Sequence, residues 1–151
     1  MKKTPQMKKL EEMLRSSKFS AGGFMGTDRR SLYEIIDSDA ADIEKLGQTR
    51  ENIADRMMQL STRAETGMGS WVKADEYLRV RISDTRGQIP CPWAHGFKCS
   101  KAITTAERVN TNIAIQWSYM NIHLIKEHGF FEGKGATFRL EPKELVKIIF
   151  P

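Results

Sequence analysis

The spacing of apolar positions divides the chain at about residue 70. Before that point apolar residues recur at intervals of three and four, the period of helices with one buried face. Leu10, Met13 and Leu14 predict a short first helix over residues 6–17, which Ala21-Gly22-Gly23 breaks. Ser31 and Glu34 have the spacing of a capping box, and Leu32, Ile35, Ile36, Ile43 and Leu46 then hold one face until Gly47. Thr49 caps a third helix, in which Ile53, Met57, Leu60 and Ala64 repeat up to Thr66-Gly67. Residues 31–66 therefore read as a helical hairpin.

From Ser70 onward the period falls to two. Leu78, Val80 and Ile82 alternate with Arg79, Arg81 and Ser83, and Asp84-Thr85-Arg86-Gly87 turns this strand toward Gln88-Ile89, predicting a hairpin that ends at Cys91. Residues 102–109 and 113–117, rich in β-branched side chains, flank Asn110-Thr111-Asn112 and predict a second hairpin. Ser118 then caps a helix that Gly129 closes, Thr137 to Leu140 read as a last strand, and Pro142 opens a C-terminal helix with Leu145, Ile148 and Ile149 inward. The expected fold class is α+β: an N-terminal helical hairpin, then β-hairpins and a ligand-bearing helix. Three segments follow, a basic and partly helical arm (1–20), the helical hairpin (21–69) and an α+β unit (70–151), joined as one compact domain.

Composition adds little to this and removes much. With 40% hydrophobic and 28% charged residues among 151, the chain has the balance of a folded domain, which excludes wholesale disorder. No apolar run reaches membrane-spanning length, and the Lys-rich start lacks the apolar stretch of a signal peptide, so a cytoplasmic protein with no membrane partner is expected. The net charge of +5 is unevenly placed: the first 70 residues carry 12 Lys/Arg against 11 Asp/Glu, and the remainder 12 against 8. Arg79, Arg81, Lys98 and Lys101 could form a basic face for nucleic acid, although a solvated surface is the plainer reading.

One stretch concentrates chemistry. Both cysteines and all three histidines fall between Cys91 and His128. Cys91 and His95 have three residues between them, and His123 and His128 four, spacings typical of paired zinc ligands. If residues 102–117 form a hairpin, its ends meet, and the Cys91 loop lies beside the helix that carries His123 and His128. The order of loop, hairpin and helix is that of a zinc finger, with both cysteines ahead of the hairpin. Cys91, His95, His123 and His128 form the first-choice ligand set, and Cys99 is the alternative to His95. A disulfide between the two cysteines is not expected in a reducing compartment.

The segments Ile89-Pro90-Cys91-Pro92-Trp93-Ala94-His95 and His123 to Gly135, followed by Phe138-Arg139-Leu140 and Pro142, resemble a family of uncharacterised bacterial cytoplasmic proteins. Gly23-Phe24-Met25-Gly26 before Leu32-Tyr33-Glu34 is similar to it too, so the resemblance spans residues 23–151. It implies one folded unit and no particular activity.

Other features have plain readings. Gly47 between two helices is better explained by a helical hairpin than by a DNA-binding helix-turn-helix, since Glu51 and Asp55 would repel phosphate. Gly133-Lys134-Gly135 lacks the rest of a phosphate loop, and Phe130 and Phe131 read as core anchors. Together these features point to a small zinc-structured binding module with a protein or nucleic-acid partner. The alternative is a metal-dependent hydrolase with three protein ligands, water in the fourth place and Glu127 or Glu132 as base.

Overall fold

The computed structural model describes residues 4–17, 22–84, 86–93 and 95–151; the boundary expected at residues 20 and 21 lies outside them. Three helices come first: α1 (Pro5–Arg15), α2 (Leu32–Lys45) and α3 (Arg50–Glu65). Six strands follow, β1 (Val72–Asp75), β2 (Leu78–Ser83), β3 (Gln88–Pro90), β4 (Lys98–Ser100), β5 (Ile103–Arg108) and β6 (Ile113–Ser118), then α4 (Tyr119–His128) and α5 (Pro142–Ile149). β1, β2, β5 and β6 form an antiparallel sheet in that order, and β3 and β4 form a separate two-stranded ribbon. The class is α+β.

The caps are where the side chains put them. Ser31, Thr49 and Ser118 each accept the amide of the residue three positions on, and Asn121 returns the bond to Ser118, completing a capping box at the start of α4. A carboxylate oxygen of Glu11 accepts the Leu32 amide, so α1 helps cap α2 from a distance. Leu46, expected to face inward, is instead the last residue of its turn and 38% exposed.

One expected strand pairing and one expected strand are corrected. Residues 78–83 do not turn back onto 88–89; β2 is held by β1 on one side and β5 on the other, and Gln88, Ile89 and Pro90 pair with Ser100, Cys99 and Lys98. The alternation of β2 specified which face is buried but not which strand would lie beside it. Residues 137–140 form no strand; Thr137 and Phe138 lie in a turn closed by Arg139 N donating to the Ala136 carbonyl.

Two apolar clusters share α4. Ile122 and Ile125 join α3, the sheet and α5 around the fully buried Trp117, whereas Met120 and Leu124 face Leu14, Leu32, Ile35, Cys91 and Phe130. Met120 through Ile125 are all buried, as expected of a helix surrounded on every side. The consecutive helices α2 and α3 diverge, with α2 against α5 and α3 against α4. Trp117 Nε1 donates to Ser61 Oγ at 2.8 Å, and Ser61 bonds Thr104 at 2.7 Å, so the buried polar groups of this core are satisfied.

Gly133 and Gly135 lie against residues 25–27, which they could not do with side chains: a Cβ on Gly133 would come within 2.3 Å of the Met25 carbonyl oxygen. The Gly133 amide donates to Phe24, and the Lys134 amide to the Asp28 carboxylate. Gly133 is buried in this strap, Lys134 and Gly135 are exposed, and the Gly133 and Lys134 amides are engaged within the chain. Phe130 and Phe131 are core residues.

Glu132 is 2% exposed and adopts a left-handed φ of 67°. Its Oε2 accepts from Asn121 Nδ2 at 2.8 Å, while Oε1 has no partner among the described residues. Burial pushes its pKa up to about 8, against the opposing pull of Asn121 and Arg139. A carboxyl raised on folding stabilises its protonated form, so this contribution to stability erodes as pH climbs from the unfolded value near 4.5 through about 8. Glu132→Gln is therefore expected to be more stable than wild type at pH 7, by about 3 kcal/mol, with the advantage shrinking toward pH 4. Urea titrations at pH 4 and pH 7 check this, and an advantage that does not change with pH would refute it.

Candidate metal centre

The ligand loop is the turn of the β3–β4 ribbon. Antiparallel pairing of Ile89 with Cys99 and a 2.9 Å bond from the Cys91 amide to the Phe97 carbonyl close it into a narrow knuckle. The ligand loop thus occupies a hairpin turn of its own, nearer to a zinc-finger knuckle than the expected order, in which it only preceded the β5–β6 hairpin. Gly96 takes a left-handed φ of 84° within the turn. Opposite lies the buried α4, ended by Gly129 with φ 65°; the amides of Gly129 and Phe130 return to the carbonyls of Ile125 and Leu124.

Four side chains converge between knuckle and helix. Cys91, His95, His123 and His128 offer one ligand atom each, and all four atoms lie within 4.8 Å of one another. His95 Nε2 is 3.1 Å from Cys91 Sγ, 3.1 Å from His123 Nε2 and 3.2 Å from His128 Nε2. Cys91 Sγ is 3.7 Å from His128 Nε2. Three imidazole nitrogens facing one another cannot satisfy each other by hydrogen bonding, because a neutral imidazole carries a single N–H. A cation at their common centre can satisfy all of them. The five-residue step from His123 to His128 rotates the two side chains apart, and the rings meet nearly at right angles, 81°, with centroids 5.4 Å apart.

Two aromatic side chains of the knuckle orient the histidines. Phe97 stacks on His123 at 3.7 Å and 4°, and Trp93 stacks on His128 at 3.9 Å and 8°. Ligands and platforms alternate along the loop as Cys91, Trp93, His95 and Phe97, a two-residue period visible in the sequence but overlooked beside the ligand spacing. Cys99 is next in that alternation. It is half-buried in β4 and stands outside the group of four ligand atoms.

Burial and the neighbouring histidines hold His128 down to about 4, and burial together with His95 lowers His123. Both rings therefore keep their lone pairs at neutral pH. Burial raises the Cys91 thiol; a cation would reverse that sign, since metal binding favours the thiolate. Neither Glu127 nor Glu132 belongs to the group, and Glu132 is engaged with Asn121.

The basic residues lie on or beside two elements. Arg79 pairs with Glu107 at 2.6 Å, and Arg79 and Arg81 lie 4.2 and 4.7 Å over the Trp71 ring. Lys98 is exposed on β4, and Lys101 is exposed between β4 and β5. No described helix is long and apolar enough to cross a membrane. Compared with family models, curated proteins and solved structures, the chain matches none, so geometry alone carries the functional reading.

Proposed function

We propose that this chain is a small zinc-structured module that binds a macromolecular partner, with Cys91, His95, His123 and His128 as the ligands. The observation that carries the reading is the spacing of the four atoms. A tetrahedral zinc with bonds of 2.0–2.1 Å to nitrogen and 2.3 Å to sulfur has N–N edges of about 3.3 Å and S–N edges of about 3.6 Å. The two N–N distances, 3.1 and 3.2 Å, and the Cys91–His128 distance of 3.7 Å lie close to those edges, and the Cys91–His95 distance of 3.1 Å is shorter than its edge. One thiolate and three imidazoles suit zinc better than calcium or magnesium, which prefer oxygen. A reduced Cys91 is in keeping with a reducing compartment such as the cytoplasm.

A zinc hydrolase would keep one position for water. Here four side chains supply the four positions, which favours a structural ion over the hydrolytic alternative. The metal would fix the knuckle against α4 and add to the folding free energy. Metal analysis of protein purified without chelator is expected to give one zinc per chain in the wild type, and much less in Cys91→Ser. Absence of any stoichiometric transition metal from the wild type would overturn the reading.

A further inference from the structure

We infer that the open face of the four-stranded sheet binds single-stranded nucleic acid, with Arg81, Arg79 and Lys73 as its phosphate and base contacts. The inference names the partner of the binding module proposed above. The helices pack on the face that carries Leu78, Val80, Ala106 and Trp117. Pairing registers put the remaining positions on the opposite face, in one row of Lys73, Arg79, Glu107 and Ala114 and a second of Arg81, Thr105 and Gln116. The ionisable side chains of these rows are three cations and the single carboxylate of Glu107, which is already paired with Arg79. The face thus keeps an excess of positive charge, complementary to a polyanion.

Two features favour a single strand. The guanidinium carbons of Arg79 and Arg81 lie over the Trp71 indole, 4.2 and 4.7 Å from its centre, and guanidinium groups and aromatic rings are surfaces on which unpaired bases stack. Arg81 is exposed and has no carboxylate partner among the described residues, so its charge is free for phosphate. Beside it runs a groove of about 850 Å³ lined by Ser83, Thr105 and Gln116, neutral polar side chains of the kind that base edges require, with Gln116 Nε2 donating to Thr105 Oγ1 at 3.2 Å. The acidic groups at this groove are Glu65, which accepts the Tyr119 hydroxyl, and Asp84 at the rim. An open four-stranded sheet face suits unstacked bases better than the curved surface of a duplex.

The test is fluorescence anisotropy with a labelled oligothymidylate of about 16 nucleotides at low salt. Wild-type protein is expected to bind, with affinity falling steeply as salt rises. Arg79→Glu/Arg81→Glu should weaken binding tenfold or more. Lys73→Glu/Arg81→Glu, which leaves the Arg79–Glu107 pair intact, should do the same and lower the salt dependence. Failure to bind at low salt, affinity unchanged by both double reversals, or tighter binding of a duplex of equal length would each overturn the inference. Zinc content measured on the same samples separates the two readings. Zinc retained without oligonucleotide binding sinks this inference alone, and binding without zinc in any sample sinks the metal reading alone.

Discussion

A chelator should lower the melting temperature of the wild-type protein by roughly 10 °C and leave that of His123→Ala almost unchanged. An ion that binds only the folded chain stabilises it by about 4 kcal/mol when free metal exceeds the dissociation constant about a thousandfold, and a domain of this size gains 2–4 °C per kcal/mol. His123→Ala removes one of the four proposed ligands and a ring that Phe97 covers, so its own melting temperature is also lower; the response to chelator is the informative quantity. The sheet core around Trp117 contains no ligand residue. The stripped protein should therefore still unfold cooperatively, unlike an isolated zinc finger, with the loss of protection in hydrogen exchange concentrated in residues 91–99. A wild-type melting temperature indifferent to chelator, in protein confirmed to have lost its metal, would leave the cluster without a structural role.

Arg139→Leu is expected to cost about 3–5 kcal/mol. Arg139 spans 100 residues of sequence to make a two-pronged pair with Asp39, at 2.5 and 2.9 Å, with side chains 7% and 2% exposed. It also donates to the Glu132 carbonyl at 2.8 Å, so one guanidinium ties α2 to the strap that follows the ligand helix. Removing it leaves the Asp39 carboxylate buried without its counter-ion, which is worse than having neither charge. The double variant Asp39→Leu/Arg139→Leu should thus recover more than half of the loss in equilibrium unfolding. If the single variant loses under 1 kcal/mol, or the double variant is no better than the single, the pair is not an interdependent buried unit.

Local chemistry made most of the helices legible. Ser31, Thr49, Ser118, Gly129 and Pro142 act within one turn of themselves, so their caps and ends follow from neighbours in sequence. The β5–β6 hairpin was legible for the same reason. β1 was not: Val72–Asp75 is four residues long and irregular in register between Lys73 and Asp75, and only the partnership with β2 makes it a strand. The 137–140 segment shows the reverse case, since its β-like residues are taken up by a turn beside the Arg139 pairing.

The candidate site divides in the same way. Residue types and spacings alone singled out Cys91, His95, His123 and His128, because metal ligation limits which side chains serve and how far apart they stand in a loop or a helix. Their convergence was decided by tertiary structure: the β3–β4 ribbon aims the knuckle, and α4, buried from Met120 to Ile125, offers its two imidazoles to it. Tertiary structure also placed Trp93 and Phe97 on the histidine rings and Trp71 under two arginines. A stacking partner is chosen by direction and distance, which pairwise spacing along the chain does not encode, whereas capping and periodicity are properties of neighbours and can be read from the sequence directly.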